Sequence, residues 1–339
     1  MGFSKIGFTF ALCAVLAACS SGPTEEEIAV QVDDFRQRSA QYFNAGSYPQ
    51  AYQQATLGLE LITDDDGELN LLAGHALMMM RNPKTGQMMM RNTNVVVAVE
   101  AYLLKAQEIL DTYRADLILG EFHQRYGAML TQHARHQLKR AKESNVLDEE
   151  QRQAEIEENE ERLETALQHF EDAAELFLVA IEESPDDLHA LQLIGQSYSF
   201  LGERAAARKH LGHAVDILVE SRRYKNRILA TDTKINLSEA DRLRSGMLGD
   251  INTEVSIRIL LAGLDKLDGN VAAEIKQYST ILELNPDHLN VSYLRGVCHY
   301  NTGNIEQAIV DLERFISNTD LSYEHPQVQH SLKITNGLK

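Results

Sequence analysis

Apolar residues recur along this chain in steps of three and four. Ala173, Phe177 and Ala180 form one such run, and Ala207, Leu211 and Ala214 repeat its spacing 34 positions later. Such steps line one face of a helix and do not fit the alternation of a strand. Between the two runs lie Pro185, Gly195, Tyr198 and Gly202. Small residues suit two helices that cross closely, aromatic residues fill the gaps beside them, and Pro185 stops one helix while tolerating the start of the next. The pattern predicts helix pairs that recur about every 34 residues.

The same spelling appears elsewhere. Tyr42, Gly46, Ser47, Tyr48, Ala51 and Ala55 read as a first unit, and a second runs through Gly74 and Leu77 to Val99, Leu103 and Ala106. A third has Leu119 and Gly120 in its first helix and Ala173, Phe177 and Ala180 in its second. Gly269, Asn270, Val271, Tyr278, Ile281 and Pro286 fit a later unit. Gly296, His299, Gly303, Asn304, Ile305, Ala308, Leu312 and Phe315 fit the last. These residues resemble the tetratricopeptide repeat. The resemblance implies an all-α, right-handed helical solenoid of about six helix pairs over residues 32–339. Stacked repeats make extended surfaces, which bind other proteins.

Four predicted helices exceed the length a simple repeat needs: 115–142, 149–183, 205–230 and 239–267. Arg135, Lys139, Arg140 and Lys142 close the first, and Asp148, Glu149, Glu150, Glu155, Glu157 and Glu158 open the second, each suiting the helix dipole. The first two should fold back as a projecting hairpin. Ser238 with Asp241 three residues on reads as a capping pair for the fourth. Arg222, Arg223, Lys225 and Arg227 form one basic cluster, either a helix-end charge set or a contact for an acidic partner or lipid headgroup.

The N-terminus reads separately. After Lys5, residues 6–18 form an apolar run of signal-peptide length, ending in Leu16, Ala17, Ala18 and Cys19. That ending looks like a bacterial lipobox, which predicts a signal peptide over 1–18, lipidation of Cys19 and a disordered tether over 19–31. Acyl chains, at about 0.8 kcal/mol per buried methylene, hold such a protein on a bilayer without spanning it. Ser20 and Ser21 stand where an aspartate would favour inner-membrane retention in similar lipoproteins. The outer membrane, facing the periplasm, is the expected address. Formal net charge is −18, becoming −19 once the segment carrying Lys5 is removed, which argues against nucleic acid as a partner. Of three cysteines, Cys13 leaves with the signal and Cys19 is acylated, so Cys298 is expected to be a buried, inert thiol.

Candidate chemistry is sparse. Met78, Met79, Met80, Arg81 and Asn82 return as Met88, Met89, Met90, Arg91 and Asn92, with Pro83 and Gly86 marking a turn between them. The six methionines could pack helix ends, adapt to a partner, or bind copper(I) near His75. His133 with His136, and His210 with His213, have a zinc-chelating spacing but no acid or thiol at an obvious ligand offset. No G-x-S-x-G, H-E-x-x-H, P-loop or G-x-G-x-x-G pattern occurs, so neither an enzyme nor a cofactor or resident metal is expected.

In tetratricopeptide proteins the first helix of each unit lines an inner groove. The resemblance places His189, Gln192, Gln196, Ser199 and Phe200 there in one unit, and Asn290, Tyr293, Val297, Tyr300 and Asn301 in the last. The lysine and asparagine clamp of chaperone-binding members is missing. A mixed polar and aromatic groove suits an extended peptide or a helix. The expected function is a membrane-anchored interaction scaffold or assembly factor whose partners are envelope proteins or peptides. The alternatives are a periplasmic metal-handling protein using the methionine segment and a structural spacer without a specific client.

Overall fold

The structure, a computed structural model, describes residues 24–338 apart from 64, 145, 147, 232 and 233. The described residues form thirteen helices: α1 (Glu25–Asn44), α2 (Tyr48–Glu60), α3 (Gly67–Met79), α4 (Thr93–Leu110), α5 (Tyr113–Glu143), α6 (Glu149–Glu183), α7 (Leu188–Leu201), α8 (Arg204–Thr231), α9 (Leu237–Leu267), α10 (Val271–Leu284), α11 (Leu289–Asn301), α12 (Ile305–Asn318) and α13 (Pro326–Leu338). Each packs against the next in the chain, and apart from the segment 80–92 between α3 and α4 the connections are short, so neighbours run antiparallel. Six pairs, α1–α2 to α11–α12, are followed by α13 in the place of a seventh first helix. This is an all-α, tetratricopeptide-type solenoid.

One contact sets the spacing within the pairs. A Cβ added at Gly74, Gly120, Gly195 or Gly296 would lie 2.7 Å from Leu103, 2.6 Å from Phe177, 2.5 Å from Leu211 or 2.8 Å from Leu312. The second helix thus presses a large buried side chain onto the bare backbone of the first. Ser39 and Ala262 take the same place in the first and fifth pairs, and Ser39 Oγ donates to the Ala51 carbonyl at 2.8 Å. Gly202 and Gly303, at φ 80° and 77°, end α7 and begin the turn after α11 in the left-handed region that a side chain disfavours.

The long helices form two projections. α5 and α6 contain 31 and 35 residues against 14 in α7, so their hairpin reaches about 25 Å past the ordinary layer at 1.5 Å per residue. Its seam is built from small residues every seven positions: Gly120, Gly127, Ala134 and Ala141 on α5, with Asn159, Ala166, Ala173 and Ala180 on α6, all buried. A seven-residue repeat keeps one seam between two helices, and side chains this small let the backbones close in. A Cβ at Gly127 would sit 3.0 Å from the Ala166 carbonyl oxygen.

The second projection, α8–α9, is held by charge. Lys225 pairs with Asp250 at 2.6 Å, Arg222 and Arg258 both pair with Glu254, and Arg208 bridges Asp265 at 3.0 Å and Asp268 at 2.6 Å. Half of the basic cluster is therefore spent inside the hairpin, while Arg223 and Arg227 remain exposed. The first hairpin turns from a first helix to a second and the other from a second to a first. In an antiparallel stack the two must leave from opposite edges.

Two local expectations need correction. Helix α1 begins at Glu25, inside the stretch assigned to the tether. Thr24 caps it, accepting from Glu27 N at 3.2 Å while its own N–H donates to Glu27 at 2.9 Å, and three glutamates sit at the favourable end of the helix dipole. Helix α9 is capped by Asn236, whose side chain accepts from Glu239 N at 2.9 Å, so Ser238 and Asp241 lie within the helix. Cys19 and residues 1–18 lie outside the described residues. No described helix is long and apolar enough to cross a membrane.

Candidate interaction surface

The residue after each close-approach glycine is turned away from the second helix, and this positions the first-helix face. Gln196 follows Gly195 and Val297 follows Gly296. None of the ten residues expected in the groove is buried: His189, Phe200, Asn290, Tyr300 and Asn301 are exposed, and Gln192, Gln196, Ser199, Tyr293 and Val297 are half-buried. Phe200 stacks on Phe170 with centroids 4.3 Å apart and stays 43% exposed, while Tyr300 is 40% exposed. The Phe200 ring is thus anchored on one side and open on the other.

The last unit is less open than the spacing implied. Tyr293 Oη lies 2.9 Å from His330 Nδ1 on α13, its ring centroid is 5.3 Å from that of Phe315, and Gln327 donates to Asn290 at 3.1 Å. Helix α13 thus takes Asn290 and Tyr293 as its own contacts. Val297, Tyr300 and Asn301 are left as the open part.

The same position recurs on the earlier first helices, where no residue of the expected groove lies. His75 follows Gly74, and Glu121 follows Gly120. Burial opposes the charge on Glu121, but His189, with Nε2 3.8 Å away, and Arg125 outweigh it, holding the carboxyl at about 2. The Glu121 contact raises His189 in return, against the cost of burial. Burial pushes His75 down to about 4, its ring lying 4.3 Å from that of Phe43. Gln124, one turn beyond Glu121, donates to the Leu193 carbonyl at 2.6 Å and to Ser197 at 3.0 Å, locking α5 to α7. Glu121 and Gln124 are themselves buried and His75 is half-buried, so the exposed part of this stretch is His189 and Phe200 on α7.

The other candidates resolve into structure. Met78 and Met90 are buried in a core with Leu71, Val99, Leu103 and Phe122, and Met80 packs against it. The segment between them forms an isolated antiparallel bridge, Arg81 to Met88, with Met89 N donating to the Met80 carbonyl at 3.0 Å. The two pentapeptides end differently. Asn82 folds its side chain onto the turn, accepting from Lys84 N at 2.9 Å, whereas Asn92 caps α4. Packing is the role these geometries support. His213 pairs with Asp186 at 3.1 Å, and the His210 ring stacks on Tyr198 at 5.8 Å. His133 and His136 are exposed on the wall of a cleft of about 710 Å³ that Met90, Arg91, Tyr126, Met129 and Arg162 also line. Among the described residues neither pair belongs to a group of three potential metal ligands. Cys298 is a buried free thiol, and burial, then the carboxylate of Glu274, pushes it up to about 12.

These contacts define a repeat protein of tetratricopeptide type in fold. Similar solved structures include a thermophilic tetratricopeptide protein of Thermus thermophilus, 16% identical over 79% of this chain and 98% of that one, with a TM-score of 0.39. Another is a tetratricopeptide repeat protein of Parabacteroides merdae, 12% identical over 91% and 99%, with a TM-score of 0.38. No protein-family model and no curated protein matches the chain.

Proposed function

We propose that this chain is an interaction scaffold that assists assembly of a bacterial envelope machine, held by acylated Cys19 on the outer membrane and facing the periplasm. The observation that carries the reading is the row of first-helix side chains, His189, Gln196, Phe200, Val297, Tyr300 and Asn301, left open on a solenoid whose core is built by the opposite faces of the first helices together with the second helices. Half-open rings such as Phe200 and Tyr300 offer apolar area at low entropic cost, and the amides and charges between them can pair with an extended backbone. The lipobox ending at Cys19 supplies the location, and the excess negative charge favours a basic or neutral protein segment over anionic lipid or nucleic acid.

Mass spectrometry of the protein extracted from membranes tests the anchor: an acylated N-terminal Cys19 is expected, and Cys19→Ala should release the protein. Retention of Cys19→Ala on the membrane, or an unmodified N-terminus at another residue, contradicts it.

A further inference from the structure

We propose that His123, His169 and Asp172 form a zinc site at the root of the α5–α6 hairpin. His123 Nδ1 lies 2.9 Å from His169 Nδ1 and 3.8 Å from Asp172 Oδ2, and the three ligand atoms all fall within 4.8 Å of one another. Zinc bonded tetrahedrally to nitrogen and oxygen at about 2.0–2.1 Å sets its ligand atoms about 3.3 Å apart. Those two distances bracket that value, and the third, between His169 and Asp172, is at most 4.8 Å, so the ion would draw the carboxylate inward by about 1 Å. No other such group occurs among the described residues.

The fold brings the ligands together for a reason visible in the seam. His123 stands between Gly120 and Gly127, and His169 between Ala166 and Ala173, beside the point where Gly127 meets the Ala166 carbonyl. The imidazoles consequently meet face to face, with centroids 5.2 Å apart and planes 30° from parallel. Asp172 follows His169 by three residues and shares its helix face. Outer contacts fix each ligand. Gln168 donates to Asp172 Oδ1 at 3.0 Å, leaving Oδ2 for the ion, and the Tyr126 ring packs edge-on against His169 at 4.8 Å. Phe122 packs beside His123, which is 8% exposed, whereas the Asp172 side chain is 38% exposed. The site is closed on the core side and open toward solvent, so two nitrogens and one oxygen leave the fourth position to water. Two imidazoles and a carboxylate are a donor set that zinc accepts, whereas magnesium and calcium demand oxygen throughout. The ion would tie α5 to α6 where the ordinary repeat ends and the projection begins.

Calorimetric titration of chelator-stripped full-length protein, kept in detergent, with zinc chloride tests the site. One zinc per chain at micromolar or tighter affinity is expected, with intense visible bands of tetrahedral cobalt(II) when cobalt replaces zinc. His169→Gln and Asp172→Asn should each weaken binding at least a hundredfold with helicity intact, and Gln168→Ala about tenfold through the outer contact. His133→Ala with His136→Ala should bind as the parent does. Absence of binding at tens of micromolar zinc would overturn the proposal. So would unchanged affinity in His169→Gln and Asp172→Asn, or loss confined to the variant lacking His133 and His136.

Discussion

Replacing Gly195 by alanine probes the close approach that defines the pairs. The new methyl would sit 2.5 Å from Leu211 Cγ and 2.6 Å from its Cδ2, so it meets the branch point of a fully buried side chain and not a flexible tip. Relieving that overlap needs a shift of about 1 Å, and such overpacking costs about 1–3 kcal/mol. Alanine's better helix propensity offsets about 1 kcal/mol. Gly195→Ala should therefore lose up to about 2 kcal/mol, and Leu211→Ala about 2–5 kcal/mol by leaving a cavity. In the double variant the methyl enters the space Leu211 vacates. The two losses should then fall short of their sum by about 1–2 kcal/mol, well beyond the roughly 0.5 kcal/mol scatter of independent sites. Urea unfolding followed by helical circular dichroism gives all four corners of the cycle. Additive losses would show that α7 and α8 do not cross at this point.

Other outcomes follow from the charges. Glu254 is 1% exposed between Arg222 and Arg258, so Glu254→Ala should cost about 3–5 kcal/mol in the same unfolding assay by leaving two guanidinium groups facing each other; a loss below about 1 kcal/mol would refute the buried pairing. His75, held neutral by burial and facing Glu121, Arg114, Arg125 and His189, takes its proton more readily in the unfolded chain. Its stabilising effect is complete above pH 6.5 and drains away as pH falls toward about 4, by about 2–3 kcal/mol, so His75→Gln should flatten the fall in melting temperature across that window. An unchanged slope would place the acid sensitivity elsewhere.

Repeat register is plain in the sequence because it depends on size. Gly195 with Leu211, and Gly296 with Leu312, are contacts that only a small residue opposite a large one allows, and the 34-residue spacing exposes them. Helix lengths are equally legible, since 149–183 is free of proline and glycine and opens on the acids Asp148, Glu149 and Glu150 that suit the helix dipole. What escapes depends on the third dimension. Terminal charges announce the hairpin, while the seven-residue spacing of Gly120, Gly127, Ala134 and Ala141, which builds its seam, gains meaning only beside its partner helix. His123 and His169 come from different helices, and no spacing along one helix relates them. Asn290 and Tyr293 lose their freedom to α13, the last helix among the described residues, which lacks the paired signal of a repeat.

A photo-crosslinking amino acid placed at single positions in the membrane-held protein tests the central claim most directly. Positions 200 and 300 lie on the first-helix face, whereas Leu178 on α6 and Val310 on α12 are similarly exposed on second helices, at 39% and 56%. If the first-helix face holds the partner, positions 200 and 300 should give a discrete adduct of the same protein, and positions 178 and 310 should give none. Adducts confined to 178 and 310, or equal from all four, would contradict the account.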